Sequence, residues 1–153
     1  MRLAFPDRLA IDDLYARFVD VVARRRADEL HALFHPDATV EGPLEPPRTG
    51  VDAIVATMAA GFTQWEILLL VPQSLLLRGE RSPDGDTVHA RWYVTEIGRR
   101  DGDDVLYSGV YHDVVASAGD AWQFRHRRFD LLYAKTPTGS IVAPMPDSLG
   151  PWR

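Results

Sequence analysis

The order of hydrophobic periodicities predicts a single α+β domain, with three helical segments ahead of an antiparallel meander. Apolar residues recur at three- and four-residue spacing as far as Phe62. Beyond it, leucine-, valine- and aromatic-rich runs are divided by turn-forming residues. The length fits as well: 153 residues, 46% hydrophobic and 25% charged, suit one domain with one core.

From Asp7, the positions Ile11, Leu14, Tyr15, Phe18, Val21 and Val22 fall on one stripe of a first helix. Arg24-Arg25-Arg26 lies in its last turn, where cations complement the exposed carbonyls, so it reads as a solvated terminus. A short second helix is expected over Asp28 to Phe34, stopped by Pro36, with a brief strand over Ala38 to Glu41. The segment from Gly42-Pro43 to Pro46-Pro47 is turn-rich. Thr49 or Gly50 opens a third helix with Val51, Ile54, Val55 and Met58 as its buried stripe and Gly61 as terminator. Strands follow over Trp65 to Arg78, Thr87 to Arg99, Val105 to Ala118 and Ala121 to Tyr133. They are joined by turns at Ser82-Pro83-Asp84-Gly85-Asp86, Asp101-Gly102 and Gly119-Asp120. Pro72 predicts a bend, a bulge or an edge position. From Lys135 onward the prolines 137, 144, 146 and 151 predict a tail without regular structure.

A formal charge of -5 and a pI near 5.5 argue against binding nucleic acid, which needs a concentrated cationic face. The absence of cysteine excludes disulfide and thiolate chemistry. Met1 to Pro6 does not read as a signal peptide, and the longest apolar stretch, Ile67 to Val71, is short for a membrane span. A soluble, cytoplasmic protein is expected, with no membrane partner. No phosphate loop, nucleophile elbow or cofactor fingerprint is present, so no cofactor is expected. His31 and His35 are four residues apart, but the zincin glutamate is missing and Pro36 intervenes. They read as structural, and no metal is expected.

The run Asp28-Glu29-Leu30-His31-Ala32-Leu33-Phe34-His35-Pro36-Asp37-Ala38-Thr39-Val40-Glu41-Gly42-Pro43 resembles the helix-to-strand signature of ketosteroid isomerase and SnoaL-like proteins of the NTF2-like superfamily. Arg48-Thr49-Gly50-Val51-Asp52-Ala53-Ile54 is similar to that superfamily's third helix. Gly109-Val110-Tyr111-His112-Asp113, with Trp122-Gln123-Phe124 and Arg127, is similar to its closing hairpin. The resemblance covers most of residues 7 to 133. It implies a cone-shaped α+β barrel, in which three N-terminal helices pack in a strongly bent antiparallel sheet around a small-molecule pocket. Residues 1–134 then form the domain and 135–153 the tail.

The resemblance also implies where catalytic groups would stand. The isomerase's general base matches Gly42 and its tyrosine donor matches Phe18, which offers only an apolar wall. Its second donor falls at Tyr111, His112 or Asp113. The dehydrochlorinase Asp–His pair matches Ala23 and the stretch Leu68 to Leu70, so that dyad is absent, whereas an arginine of the last strand is kept as Arg127.

Polar groups for chemistry must then come from the sheet. Strict alternation puts His89, Arg91, Tyr93 and Thr95 on one face and Trp92, Val94 and Glu96 on the other. Tyr111 and Asp113 share a face opposite His112, and Gln123, Arg125 and Arg127 oppose Trp122, Phe124 and His126. The candidate catalytic residues are Tyr111, Asp113 and Arg127, with His112, His89 and Glu96. Asp113 facing Arg127 would stay ionised and leave Tyr111 to donate to a substrate oxygen. A structural ion pair beside a core tyrosine is the competing reading. Glu96 matters if it points inward, because an apolar site raises a carboxyl pKa. Tyr15, Phe18, Val22, Trp65 and Tyr93 are the expected substrate-binding walls.

The function expected is a cofactor-independent lyase or isomerase acting by proton transfer on a hydrophobic oxygenated substrate of polyketide, steroid or aromatic origin. The alternative is a non-catalytic binding or assembly module of the same fold. A homodimer is expected, on the ground that large groups such as Trp92 or Trp122 would occupy the outer sheet face.

Overall fold

The computed structural model describes residues 3–43, 46–82 and 85–152, excluding the side chains of 80–82. The expected turns at 42–47 and 82–86 include positions 44, 45, 83 and 84, which lie outside the described residues. Helix α1 (Phe5–Arg24) ends where Arg25 adopts a left-handed conformation, φ 56°, and its N–H reaches Val21 O and Val22 O. The arginine run is solvated as its position suggests. Arg24 pairs with Asp20 and Glu29, and Arg26 with Asp28.

The expected second helix is a 3-10 turn, Ala27–Ala32. The following strand β1 (Phe34–Glu41) begins earlier than its sequence pattern suggests, because Phe34 is already buried and paired opposite Phe124. His35 therefore sits on a strand and His31 on the 3-10 turn, where its Nε2 is 3.0 Å from Asp52 Oδ1. No cluster able to hold a metal occurs among the described residues. Strand β2 (Arg48–Thr49) leads through Gly50, φ 91°, into α2 (Val51–Phe62). A side chain at Gly50 would be strained in that conformation.

Four long strands form the meander: β3 (Ile67–Ser82), β4 (Gly85–Arg100), β5 (Asp103–Ala118) and β6 (Ala121–Thr136). Strand β7 (Gly139–Val142) pairs antiparallel with β6, so part of the expected irregular tail is regular. The prolines fall on either side of this strand, where they cost no ladder hydrogen bond. The remaining order is β2-β1-β6-β5-β4-β3. The sheet is mixed rather than wholly antiparallel, because β1 runs parallel to β6. It is strongly curved and open, and it wraps the helices as a cone. The register slips between Pro72 and Leu75 on edge strand β3, which is the bulge predicted from Pro72.

The narrow part of the cone is solid. Phe18, Phe34, Phe124 and Trp92 meet edge-on or tilted at centroid distances of 5.3 to 6.4 Å. All four are 3% exposed or less. Burial of each such ring contributes on the order of 2–3 kcal/mol before entropy is counted. Trp92 thus faces inward, and it cannot furnish the exposed outer surface expected of it. Among the described residues no helix is long and apolar enough to cross a membrane.

Candidate functional site

The strand register sorts the candidate residues into two faces. Trp92, Tyr111 and Phe129 lie opposite one another in a row inside the cone. Trp92 stacks on Tyr111 at 5.5 Å, and Tyr111 meets Phe129 at 4.8 Å. Asp113 and Arg127 are paired across β5 and β6 and also turn inward, with exposures of 2% and 1%. Strict alternation fails on β6. Val114 pairs with His126 but Val115 pairs with Phe124, so Arg125 is an extra residue in a bulge. Phe124 and Arg127 consequently share the inner face, against the expected opposition, and the guanidinium carbon lies 4.1 Å from the Phe124 ring centre.

Arg127 is held by Asp113 and by aromatic rings, while its Nη1 has no hydrogen-bond partner among the described residues. Its Nε and Nη2 donate to Asp113 Oδ1 and Oδ2 at 3.0 and 2.9 Å. Tyr15 donates its hydroxyl to Asp113 Oδ2 at 2.7 Å. The guanidinium also lies 4.2 Å from the Tyr111 ring centre and 4.3 Å from that of Phe18. A desolvated cation–π contact contributes about 2 kcal/mol, and two-point hydrogen bonding fixes the orientation. This cluster lies below the open space, plugged by rings on every side.

The open space is a cavity of about 300 Å³ under α2, lined chiefly by Val40, Ile54, Met58, Phe129 and Leu131, with Arg48 and Thr57 on the helix side. Arg48 Nε donates to Thr57 Oγ1 at 3.3 Å. The polar groups reaching in from the sheet are Glu96, Tyr107 and Tyr111. Tyr111 donates its hydroxyl to Glu96 Oε1 at 3.1 Å. Burial raises the Glu96 pKa above the ordinary carboxylate range, and the Tyr111 hydrogen bond and the Arg127 charge only partly offset this. Burial likewise holds the Tyr111 phenol well above its usual range, aided by the neighbouring Glu96 charge, so Tyr111 is a donor and not a base.

Two glycines seat aromatic rings, and of these only Gly109 seats a ring of the chamber. A side chain on Gly98 would meet the Trp65 ring at 2.5 Å, and one on Gly109 would meet Phe129 at 2.4 Å. Both are places where an aromatic ring lies flat on bare backbone.

The structure therefore brings Glu96 and Tyr111 together at the cavity and places Asp113 and Arg127 beneath them. His89, His112 and Tyr93 stand in the outer rows of the sheet, alternating with inward residues. Burial pushes the His112 pKa down, and Asp130 beside it only partly compensates. Of the expected walls, Phe18 and Val22 are core residues, and Tyr15 borders a separate groove with Trp92, Pro72 and Leu75. Trp65 sits outside the cone cavity beside α2, with Arg100 over its ring at 5.1 Å. The actual lining residues Ile54 and Met58 belong to the apolar stripe read from the third helix. Their period marked them as buried, but nothing in it showed that they faced a cavity. Tyr107 shares its parity with Tyr111 on β5, and Phe129 and Leu131 share theirs with Arg127 on β6, so alternation was the signal that could have found them.

Residues 4–128 match the SnoaL-like domain. No curated protein matches in sequence. A crystal structure of a provisionally named aromatic ring hydroxylase from Novosphingobium aromaticivorans superposes with TM-score 0.80 at 24% identity, over 88% of this chain and 96% of that one. A provisionally named scytalone dehydratase from the same organism gives TM-score 0.75 at 21% identity, over 84% and 86%. A type-3 hexachlorocyclohexane dehydrochlorinase from Novosphingobium barchaimii gives 0.73 at 19%, over 92% and 96%. These likenesses establish a common fold.

Proposed function

Because the chain belongs to the SnoaL-like domain family, we propose that it is a lyase or isomerase that needs no cofactor and moves a proton on a hydrophobic oxygenated small molecule, with Glu96 as the proton-transfer group. The observation that carries this reading is a half-buried carboxyl group in the wall of a largely apolar cavity, whose hydrogen-bond partner among the described residues is a phenol and not a cation. Such a carboxyl is costly to the fold, and a perturbed carboxyl in a cavity is a candidate for acid–base chemistry.

The chemistry follows from what the group can hold. Ionised Glu96 removes a proton from a carbon next to a substrate carbonyl, and the electron pair passes to the carbonyl oxygen as an enolate. Glu96 then returns that proton. Delivered to another carbon it completes an isomerisation, and delivered to a departing β-hydroxyl it completes a dehydration with release of water. Tyr111 fixes Oε1 and stabilises the ionised form, while the apolar walls exclude water.

The experiment is to incubate the protein with cyclic ketones and β-hydroxy ketones of polyketide, steroid and aromatic type in D₂O, and to follow deuterium uptake and water loss by mass spectrometry. Exchange or conversion that disappears in Glu96→Gln supports the reading. Equal rates in that variant would remove Glu96 from it. Saturable binding with no exchange would favour the second reading, a binding module. That alternative draws on Gly42, Phe18 and Ala23 standing where the resembling enzymes carry their catalytic groups. A homodimer is part of the proposal. Its support is an exposed apolar strip on β3 and β4, with Ile67, Leu69, Val71 and Ile97 at 39–48% exposure, and sedimentation reads it directly.

A further inference from the structure

An enolate formed at Glu96 needs a hydrogen-bond donor at its oxygen, and most polar groups around the cavity are already committed. The polar side chains described on its walls are those of Glu41, Arg48, Thr57, Glu96, Tyr107 and Tyr111. Glu41 lies 3.8 Å from His126 Nε2, and an ionised carboxylate only accepts. A phenol has one proton to donate, and Tyr111 directs its own to Glu96 Oε1 at 3.1 Å. Thr57 likewise donates its hydroxyl to Ala53 O at 2.9 Å. Arg48 stands on the helix side and directs Nε to Thr57 Oγ1.

Tyr107 is different. It is half-buried in the cavity wall. Its hydroxyl makes no hydrogen bond among the described residues, and that oxygen is not one of the sealed, unpartnered atoms. It is therefore open to a molecule in the cavity. Strand register sets it beside the base, because Tyr107 pairs directly with Glu96 across β4 and β5. Directly opposite side chains on one face of an antiparallel pair leave the backbone with Cβ atoms about 4.5–5.5 Å apart. A carbonyl oxygen held by Tyr107 thus brings the neighbouring carbon towards Glu96. Tyr111, four residues along β5 on the same face, reaches back to fix that carboxyl.

We infer, on the reading of Glu96 as the proton-transfer group, that Tyr107 holds the substrate's carbonyl oxygen and that the site takes neutral ketones, with the C–H bond next to the carbonyl against Glu96. When that C–H proton passes to the Glu96 carboxylate, the electron pair moves to the carbonyl oxygen. The Tyr107 proton stays on the phenol and stabilises the developing charge as a hydrogen bond. A carboxylate in place of the ketone would set its own negative charge against Glu96.

Equilibrium dialysis of the full chain with 2-tetralone and with tetralin, its hydrocarbon counterpart, at a pH where Glu96 is ionised, reads the contact without turnover. Deuterium uptake by 2-tetralone in D₂O reads its effect on rate. Tyr107→Phe removes no hydrogen bond made among the described residues, and circular dichroism checks its fold. In that variant the ratio of ketone to hydrocarbon affinity should fall about two- to tenfold, the value of one neutral hydrogen bond, with tetralin affinity unmoved. The kcat for exchange should fall further, about 10²- to 10³-fold, while KM changes no more than binding does. Exchange abolished in Glu96→Gln, with rate and affinity ratio both unchanged in Tyr107→Phe, would overturn the role of Tyr107 and leave Glu96 as the proton-transfer group. A ratio that falls in Tyr107→Phe, with no exchange by the parent, would do the opposite: Tyr107 stays the oxygen-binding residue and proton transfer by Glu96 falls. A ratio that falls in Arg48→Gln and not in Tyr107→Phe, or a parent that binds neither compound, also overturns the role of Tyr107.

Discussion

Two acid–tyrosine pairs lie about one ring apart inside the cone, and they differ in nearly everything but residue type. Asp113 receives Tyr15 and both arms of Arg127, in a cluster sealed by aromatic rings. Among the described residues Glu96 receives Tyr111, and it faces an open cavity. The first is a buried ion pair whose charge is neutralised where it stands, although Arg127 Nη1 has no hydrogen-bond partner among the described residues. The second keeps a carboxyl that the Tyr111 hydrogen bond and the Arg127 charge only partly stabilise, beside a space able to hold a ligand. Burial by itself does not mark a functional acid; burial next to a cavity, with no ion pair among the described residues, does.

The largest expected effect separates the pairs by activity. Glu96→Gln should lower turnover of any converted substrate by about 10²- to 10⁴-fold, the range for loss of a general acid–base group, while the variant stays folded by circular dichroism. Asp113→Ala should do the reverse. It leaves Arg127 charged and buried without its partner, at about 3–5 kcal/mol in urea unfolding, with activity falling only as the folded fraction falls. Comparable loss of activity per folded molecule in both variants would erase the distinction.

A smaller effect concerns the floor of the cavity. Gly109→Ala would push Phe129 off the backbone it covers and should cost about 1–3 kcal/mol, read by thermal melting. Smaller still is the pH dependence of stability. The native state holds the Glu96 proton more tightly than the unfolded chain does, so the native state binds more protons and stability falls with rising pH. That loss begins at the ordinary glutamate range and ends once pH has passed the raised native value. The melting temperature of Glu96→Gln relative to the parent should therefore rise through that window and then level off. A constant difference would mean that Glu96 is not perturbed.

Much of this architecture was legible in the residue pattern. The stripe from Ile11 to Val22, the Pro72 bulge and the hairpin at Asp101-Gly102 rest on local physics that tertiary context did not override. Alternation also placed Trp92, Val94 and Glu96 on one face. What alternation could not show was the extra residue at Arg125, which reset β6 and brought Phe124 and Arg127 to the same side. Nor could it show which aromatic groups fill space and which border it. Phe18 and Val22 are as apolar as Ile54 and Met58, and only the packing of Phe34, Phe124 and Trp92 decides that the first two are core and the others line the cavity. The course of β7 was hidden for a related reason: its four residues lie between prolines and take their order from the β6 edge.

The central claim is that Glu96 is a cavity carboxyl tuned by burial and held by one phenol. Carbon-13 NMR titration of its carboxyl group, in the parent and in Tyr111→Phe, tests this most directly and needs no substrate. The account predicts a midpoint above the ordinary glutamate range in the parent, and a further rise when the hydrogen bond that stabilises the ionised form is removed. An ordinary midpoint, or one that does not move in Tyr111→Phe, would contradict it.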